Sequence, residues 1–135
     1  MNAIEITNLN KSYPNFNLKN LTLTLPQGSI LGLAGENGAG KSTTLKLIMN
    51  SIPRDSGTVH VLGTDNQSAA FQSVKEDIGV VLDEAYFPEV LTPKNVATVM
   101  RHTYRRWDDQ VFSAYLDRFS LPREKAFQHF SRGMK

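Results

Sequence analysis

Alternation of apolar and polar residues marks the first part of the chain. Residues 4–6 (IEI) alternate, and residues 21–25 (LTLTL) do so over a longer stretch. A period of two puts one face of a strand on a core and the other in solvent, which favours an antiparallel sheet. Pro26-Gln27-Gly28 ends the second run as a turn, and a further strand is predicted over residues 58–62. The front of the chain is therefore predicted to form antiparallel strands.

Two other runs are apolar without alternation. They are residues 30–34 (ILGLA) and residues 78–82 (IGVVL). Strands buried on both faces of a mostly parallel sheet have this composition. Both runs are therefore predicted to be buried strands.

A helical period replaces the strand period after residue 40. Leu45, Ile48, Met49 and Ile52 have the spacing of one helix face, and Pro53 is predicted to end that helix.

Helical patterning returns after Pro93, and Asp108 is a predicted N-cap between two apolar stripes. Such stripes usually pack into a core. The first comprises Val96, Val99, Met100, Thr103, Tyr104 and Trp107; the second comprises Val111, Phe112, Tyr115, Leu116 and Phe119. The predicted layout is a sheet-rich part over residues 1–91 and a helical part over residues 92–135.

Composition narrows the class of protein. The 135 residues, 40% hydrophobic and 21% charged, suit one globular domain. The chain has no Cys, which excludes disulfides and thiolate metal sites. A formal charge of +2 is too small to indicate a nucleic-acid partner.

The clearest chemical signal is GENGAGKS at residues 35–42, which fits G-x-x-x-x-G-K-[ST] between a predicted strand and a predicted helix. Glycines allow backbone N–H groups to turn inward around an anion, and the helix that follows points its positive end at the same place. Lys41 would bind the β- and γ-phosphates as a catalytic group, and Ser42 would ligate Mg²⁺. The predicted nucleotide-binding residues of the loop are Gly35, Asn37, Gly38, Ala39, Gly40, Lys41, Ser42 and Thr43. This motif predicts binding of a nucleoside triphosphate with Mg²⁺.

LAGENGAGKSTTLKLI, followed by DSGTVHVLG, resembles the ATP-binding subunits of ABC transporters. The resemblance implies an α/β fold, with a P-loop NTPase core, an N-terminal antiparallel β subdomain and a helical subdomain. It also places Tyr13 where the family has an aromatic residue that stacks on adenine. The alternative for Tyr13 is a hairpin residue that packs beside Pro14.

FSRGMK at residues 130–135 resembles the signature motif of the family, which most often is LSGGQ. Ser131 and Gly133 match the motif, whereas Phe130, Arg132 and Met134 depart from it. The resemblance implies that Ser131 and Gly133 contact ATP held by a second subunit in a head-to-tail dimer. The Ser-Arg-Gly-Met-Lys variant resembles ATPases of bacterial exporters.

GVVLDE at residues 79–84 has two interpretations. As a catalytic acidic strand, it would make the chain a complete small P-loop NTPase in which Asp83 holds Mg²⁺ and Glu84 is the general base. The frame LDEAYFPEVLTP instead favours the Q-loop of the family, with Asp83 where Gln is expected. Asp83 is a predicted Mg²⁺ ligand and catalytic residue in either case.

The resemblance implies a subunit that couples ATP binding and hydrolysis to export through separate transmembrane permease subunits. Its expected location is cytoplasmic, on the inner face of the cell membrane. We expect the chain to be the N-terminal part of a longer ATPase, able to bind ATP but lacking the later catalytic strand and switch His. The alternative within the family is a soluble ATPase that acts on the ribosome or on DNA.

Overall fold

The computed structural model describes residues 1–81 and 87–135. Residue contacts divide the chain into two compact units, Met1–Asp77 and Ile78–Lys135, which are treated separately. The first unit contains β1 (Asn2–Tyr13), β2 (Phe16–Pro26), α1 (Lys41–Ile48), β3 (Ser56–Val61), β4 (Thr64–Asp65), α2 (Phe71–Val74) and a 3₁₀ turn (Lys75–Asp77). The second contains α3 (Pro93–Thr103), α4 (Asp109–Arg118) and a 3₁₀ turn (Phe127–His129).

The strands of the first unit form one four-stranded sheet in the order β2-β1-β3-β4, and all its neighbours are antiparallel. The predicted alternation is confirmed along β2. Leu21, Leu23 and Leu25 are half-buried, whereas Thr22 and Thr24 are exposed. The sheet therefore has one face on the core and one in solvent, as the period of two requires.

Helix α1 covers the apolar face of this sheet. The largest fully buried side chains of the described residues come from the sheet and from this helix: Ile6, Leu9 and Val59 from the strands and Leu47 from α1. Burial of each such side chain contributes about 1.5–3 kcal/mol, so this cluster holds α1 on the sheet.

The buried face of α1 lies one position earlier than predicted. Thr44, Leu47 and Ile48 are buried, whereas Leu45 is 49% exposed. The helix ends at Ile48, before Pro53 is reached, because Asn50 has a left-handed φ of 52° that a helix cannot continue.

A buried side chain caps the C-terminal end of α1. The side-chain amide of Asn66 donates to the carbonyls of Leu47 and Ile48, at 2.7 and 3.0 Å. Arg54 donates to the Asn66 Oδ1 and to both carboxylate oxygens of Asp65. This network satisfies helix carbonyls that would otherwise lack partners and ties α1 to β4.

The two predicted buried strands are not strands in the described part of the chain. Residues 30–34 have no strand structure, and Ile30 is fully exposed. Residues 78–81 likewise have none, and Val81 is 98% exposed, while residue 82 lies outside the described residues. A parallel strand exists only when neighbours hydrogen-bond to its edges, and the pairings in the described residues supply none to either segment.

Both predicted helices of the second unit are present, and each has a side-chain cap. Thr92 accepts from the backbone N–H of Asn95, and the Asn95 side chain accepts from that of Thr92. Asp108 is the N-cap of α4, as predicted, and accepts from the N–H groups of Gln110 and Val111.

The apolar stripes of these helices are only partly buried. Val96 of α3 and Leu116 of α4 are buried, but Val111, Tyr115 and Phe119 are each more than half exposed. Leu116 is the buried residue of α4, and Val111 and Tyr115, four residues apart, share a neighbouring side of the helix that faces solvent, whereas Phe119 follows the helix as its C-cap. The prediction that the second stripe packs in a core is wrong for these three residues.

Candidate nucleotide-binding site

The loop before α1 has the backbone geometry that its glycines predict. Gly38 and Gly40 have φ values of 86° and 98°, and Gly40 is the N-cap of the helix. Only glycine adopts such angles without strain. Left-handed positions of this kind turn successive backbone N–H groups toward one side and so form a concave site for an anion.

The N-terminal end of α1 is electropositive. Its N-cap makes no side-chain hydrogen bond, and its first turn contains no acidic residue. The early N–H groups of a helix and its dipole together favour an anion at this position. In the described residues, no side chain of this end of the helix competes with a phosphate.

Lys41 is folded across the loop. Its Nζ donates to the carbonyl oxygens of Gly35 and Glu36, at 2.6 and 2.8 Å. An ammonium group has three N–H donors, so these two contacts place the charge over the loop while leaving donor capacity for a phosphate oxygen.

The hydroxyl groups that follow have different surroundings. Ser42 is exposed and Thr43 is half-buried, whereas Thr44 is buried and donates its hydroxyl to the carbonyl of Gly40. The exposed Ser42 hydroxyl fits a magnesium ligand, because Mg²⁺ prefers oxygen donors and keeps several waters or phosphate oxygens. Asp83, the other predicted ligand, lies outside the described residues.

Acidic and histidine residues do not form a separate metal centre in residues 1–81 and 87–135, where no group of three or more could hold a metal ion. Mg²⁺ that is bound with a nucleotide usually takes its ligands from phosphate oxygens, from water and from one or two protein groups.

Tyr13 lies at the tip of the β1–β2 hairpin, where it pairs with Phe16. Its side chain is 40% exposed, and the Lys11 ammonium lies 5.5 Å from the centre of its ring. Lys11 is held in turn by Asp55, at 2.9 Å. A cation on one face orients the ring and leaves part of its apolar surface in solvent.

Phe16 and Leu18 were not predicted as site residues, yet both lie against the phosphate loop. A methyl group placed on Gly40 would be 2.6 Å from Cζ of Phe16 and 3.5 Å from Cδ1 of Leu18. The signal available in the sequence was weak: two apolar residues at a spacing of two, just beyond a turn.

Ser131 and Gly133 lie in the second unit, in a turn after the buried Phe130. The Phe130 ring packs edge-on against Phe127, with centroids 5.3 Å apart. The carbonyl of Ser131 accepts from the N–H groups of Met134 and Lys135, while the Ser131 and Gly133 side of the turn is exposed. Phe130 thus anchors an exposed turn, although it departs from the family motif.

Comparison with known proteins identifies the chain. The family described as "ABC transporter" matches residues 18–135. The chain belongs to this family. The ATP-binding subunits of the family are ATPases, and the P-loop predicted from the sequence lies within the matched region.

Three relatives are similar over different lengths. ABC transporter ATP-binding protein YtrB of Bacillus subtilis is 32% identical over 98% of this chain and 45% of its own length. Galactose/methyl galactoside import ATP-binding protein MglA of Treponema denticola is 46% identical over 55% of this chain and 14% of its length. Nod factor export ATP-binding protein I of Sinorhizobium fredii is 42% identical over 58% of this chain and 23% of its length. The chain thus spans less than half the length of these relatives.

A solved structure confirms the fold class. The structure titled "Structure of ATP binding subunit of ABC transporter" superposes with a TM-score of 0.83 at 24% identity, over 98% of this chain and 57% of that one. The mixed α/β fold of an ABC ATPase is therefore shown, with the antiparallel sheet and helices described above.

Proposed function

We propose that this chain binds ATP with Mg²⁺ at residues 35–43, as part of the ATP-binding subunit of an ABC transporter. The observation that carries the proposal is the loop before α1. There, the left-handed Gly38 and Gly40, the helix N-terminus and the Lys41 ammonium converge on one concave site. All three favour a polyphosphate for electrostatic reasons.

Each group has a distinct part in the proposed site. The backbone N–H groups of the loop would hold the phosphate oxygens, and Lys41 would direct its remaining N–H donor to the β- and γ-phosphates. The Ser42 hydroxyl, together with Asp83, would ligate Mg²⁺, which supplies charge neutralisation when bound. Tyr13 would stack on the adenine, since a partly exposed aromatic ring at the hairpin tip offers an apolar face.

Titration calorimetry tests this proposal with a matched pair of lysines on one helix. Lys41→Ala should remove most ATP affinity, because it deletes the cation over the loop. Lys46→Ala is the control, since Lys46 is an exposed cation in the last turn of α1. Equal ATP affinity in wild type and Lys41→Ala, or equal losses in the two variants, would contradict the proposal.

We further propose that the whole protein acts as a head-to-tail dimer, in which Ser131 and Gly133 of one subunit contact the ATP of the other. The exposed turn that Phe130 anchors supports this role, because it presents backbone and hydroxyl groups outward. A Ser131→Ala variant of the whole protein should hydrolyse ATP more slowly, with unchanged affinity of the isolated subunit for ATP. An unchanged turnover rate would argue against the dimer contact.

The proposed partners are separate transmembrane permease subunits, with the ATPase on the inner face of the cell membrane. In residues 1–81 and 87–135, each helix is too short or too polar to cross a bilayer.

We propose export as the direction of transport, supported by the Ser-Arg-Gly-Met-Lys motif and by the similarity to the Nod factor export protein. Import is the competing direction, favoured by the similarity to MglA. Deletion of the gene should sensitise cells to a toxic compound rather than prevent growth on a nutrient.

We expect residues 1–135 by themselves to bind ATP without the turnover of a whole subunit. General-base catalysis contributes about 10²–10⁴-fold, and under the Q-loop interpretation residues 79–84 do not supply the base. A phosphate-release assay distinguishes the two interpretations of this segment. Mg²⁺-dependent hydrolysis that Glu84→Gln abolishes would establish Asp83 and Glu84 as the catalytic acidic pair.

A further inference from the structure

The ring of Phe16 lies directly on the backbone of Gly40. A Cβ atom built on Gly40 would lie 3.4 Å from Cε1 of this ring and only 2.6 Å from its Cζ, and the second distance is closer than real Cβ atoms come to another heavy atom. Gly40 is also the N-cap of α1 and has a φ of 98°. The same residue that shapes the phosphate loop is therefore in van der Waals contact with the hairpin.

The hairpin that carries Phe16 is formed by β1 and β2, two paired strands of the sheet. Phe16 is half-buried, begins β2 and is the pairing partner of Tyr13 across the tip. Just before the tip, the Asp55 carboxylate accepts from the Lys11 ammonium at 2.9 Å and from the backbone N–H of Ser12 at 2.7 Å. The ring is thus fixed at the end of a short, well-anchored turn.

We propose that Phe16 is a positioning residue for the phosphate-binding loop, and that it joins this loop to Tyr13 through the hairpin tip. This inference rests on the proposed binding of nucleotide at residues 35–43. Glycine has access to more backbone conformations than any other residue, so a loop rich in glycine loses the most entropy when it is ordered. A ring packed on Gly40 restricts that residue before the ligand arrives, and preorganisation of this kind increases affinity.

The proposal separates the roles of two neighbouring aromatic residues. Loss of a stacking partner at Tyr13 affects only ligands that carry a base. Loss of the support at Gly40 affects any ligand that binds through its phosphates. Phe16→Ala should therefore weaken the binding of ATP and of tripolyphosphate by the same factor, whereas Tyr13→Ala should weaken only the binding of ATP.

The experiment is a calorimetric titration of the 135-residue chain with Mg-ATP and with Mg-tripolyphosphate. Phe16→Ala is expected to lower the affinity for both ligands about tenfold, which is the range expected when one ordered element loses its preorganisation. Leu23→Ala is the matched control. It removes a half-buried apolar side chain from the same strand, at a position that pairs with Ile6 rather than lying near the loop.

A second variant keeps the proposal testable if Phe16→Ala does not fold. Phe16→Tyr keeps the ring but adds an oxygen to Cζ, the atom nearest to a Cβ built on Gly40. This variant should also weaken the binding of tripolyphosphate while retaining the wild-type unfolding temperature. Normal tripolyphosphate binding by both Phe16 variants would overturn the proposal. A loss no greater than that of Leu23→Ala at the same unfolding temperature would also overturn it. Failure of the wild-type chain to bind either ligand would instead refute nucleotide binding itself, and this inference with it.

Discussion

At the scale of single residues, Asp55 links the chain beyond α1 to the end of β1. Hydrogen bonds from the Lys11 ammonium and then from the Ser12 N–H lower the pKa of the Asp55 carboxyl below its usual 3.8. A carboxyl whose pKa is lower in the folded state stabilises the protein above its unfolded pKa. That contribution is lost as the pH falls through the folded pKa.

We therefore predict a stability difference between wild type and Asp55→Asn that is constant near neutral pH and shrinks below pH 3.8, the ordinary value. Urea unfolding across this range measures it. Glu124→Gln is the control, because the Lys94–Glu124 pair is 69% and 77% exposed and should contribute little at any pH. A difference that persists at the lowest pH would show that Asp55 acts through its shape and not through its charge.

Gly40 provides a second prediction at this scale. Gly40→Ala introduces a Cβ that meets the Phe16 ring at 2.6 Å, at a φ of 98°. Both effects displace the loop, so we expect a large loss of ATP affinity. Gly63→Ala is a suitable control, because its φ is also positive, at 81°, but the added Cβ would have nothing within 4 Å. An equal loss of affinity in the two variants would mean that a general effect of backbone strain on the fold, and not the Phe16 contact at the loop, accounts for the loss.

At the scale of elements, α1 is held by a C-terminal cap as well as by its apolar face. Asn66 is 2% exposed, and all buried side-chain polar atoms of the described residues have hydrogen-bond partners. Asn66→Leu would leave the carbonyls of Leu47 and Ile48 without their donor, at a cost of about 1–3 kcal/mol each in the buried state.

We predict that Asn66→Leu lowers the free energy of unfolding by about 2 kcal/mol or more. Gln67→Ala, at the exposed neighbouring position, should change it by less than about 0.5 kcal/mol. Chemical denaturation monitored by circular dichroism measures both variants. Similar values for the two would show that water replaces the Asn66 amide at the end of α1.

The same elements show what the sequence could predict. The antiparallel strands and the phosphate loop were predictable, because a period of two and a glycine motif are local signals. The buried face of α1 was not predictable, since the position of the sheet alone decides that Thr44 is buried and Leu45 is exposed. Residues 30–34 were predicted wrongly for a related reason: apolar composition indicates a buried strand, but burial needs neighbouring strands, and these are non-local. Phe16 was missed because its partner, Gly40, is distant in sequence.

At the scale of the whole chain, apolar surface is distributed unevenly. Ile6 in β1 is completely buried, while Ile30 is fully exposed although its segment is more apolar. The two isoleucines therefore test whether the fold or the composition determines the contribution of a residue to stability. The hydrophobic effect depends on the area removed from water and not on the residue type alone.

We predict that Ile6→Ala destabilises the 135-residue chain by about 2–5 kcal/mol, the range for truncation of a buried isoleucine. Ile30→Ala should change its free energy of unfolding by no more than about 0.5 kcal/mol, as surface substitutions do. Urea unfolding curves of both variants, fitted with a common slope, give the comparison. Ile30→Ala should also reduce the binding of a hydrophobic dye to the native chain, because it removes exposed apolar area. A cost at Ile30 close to that at Ile6 would mean that residues 30–34 are buried in solution, as the sequence pattern alone predicts.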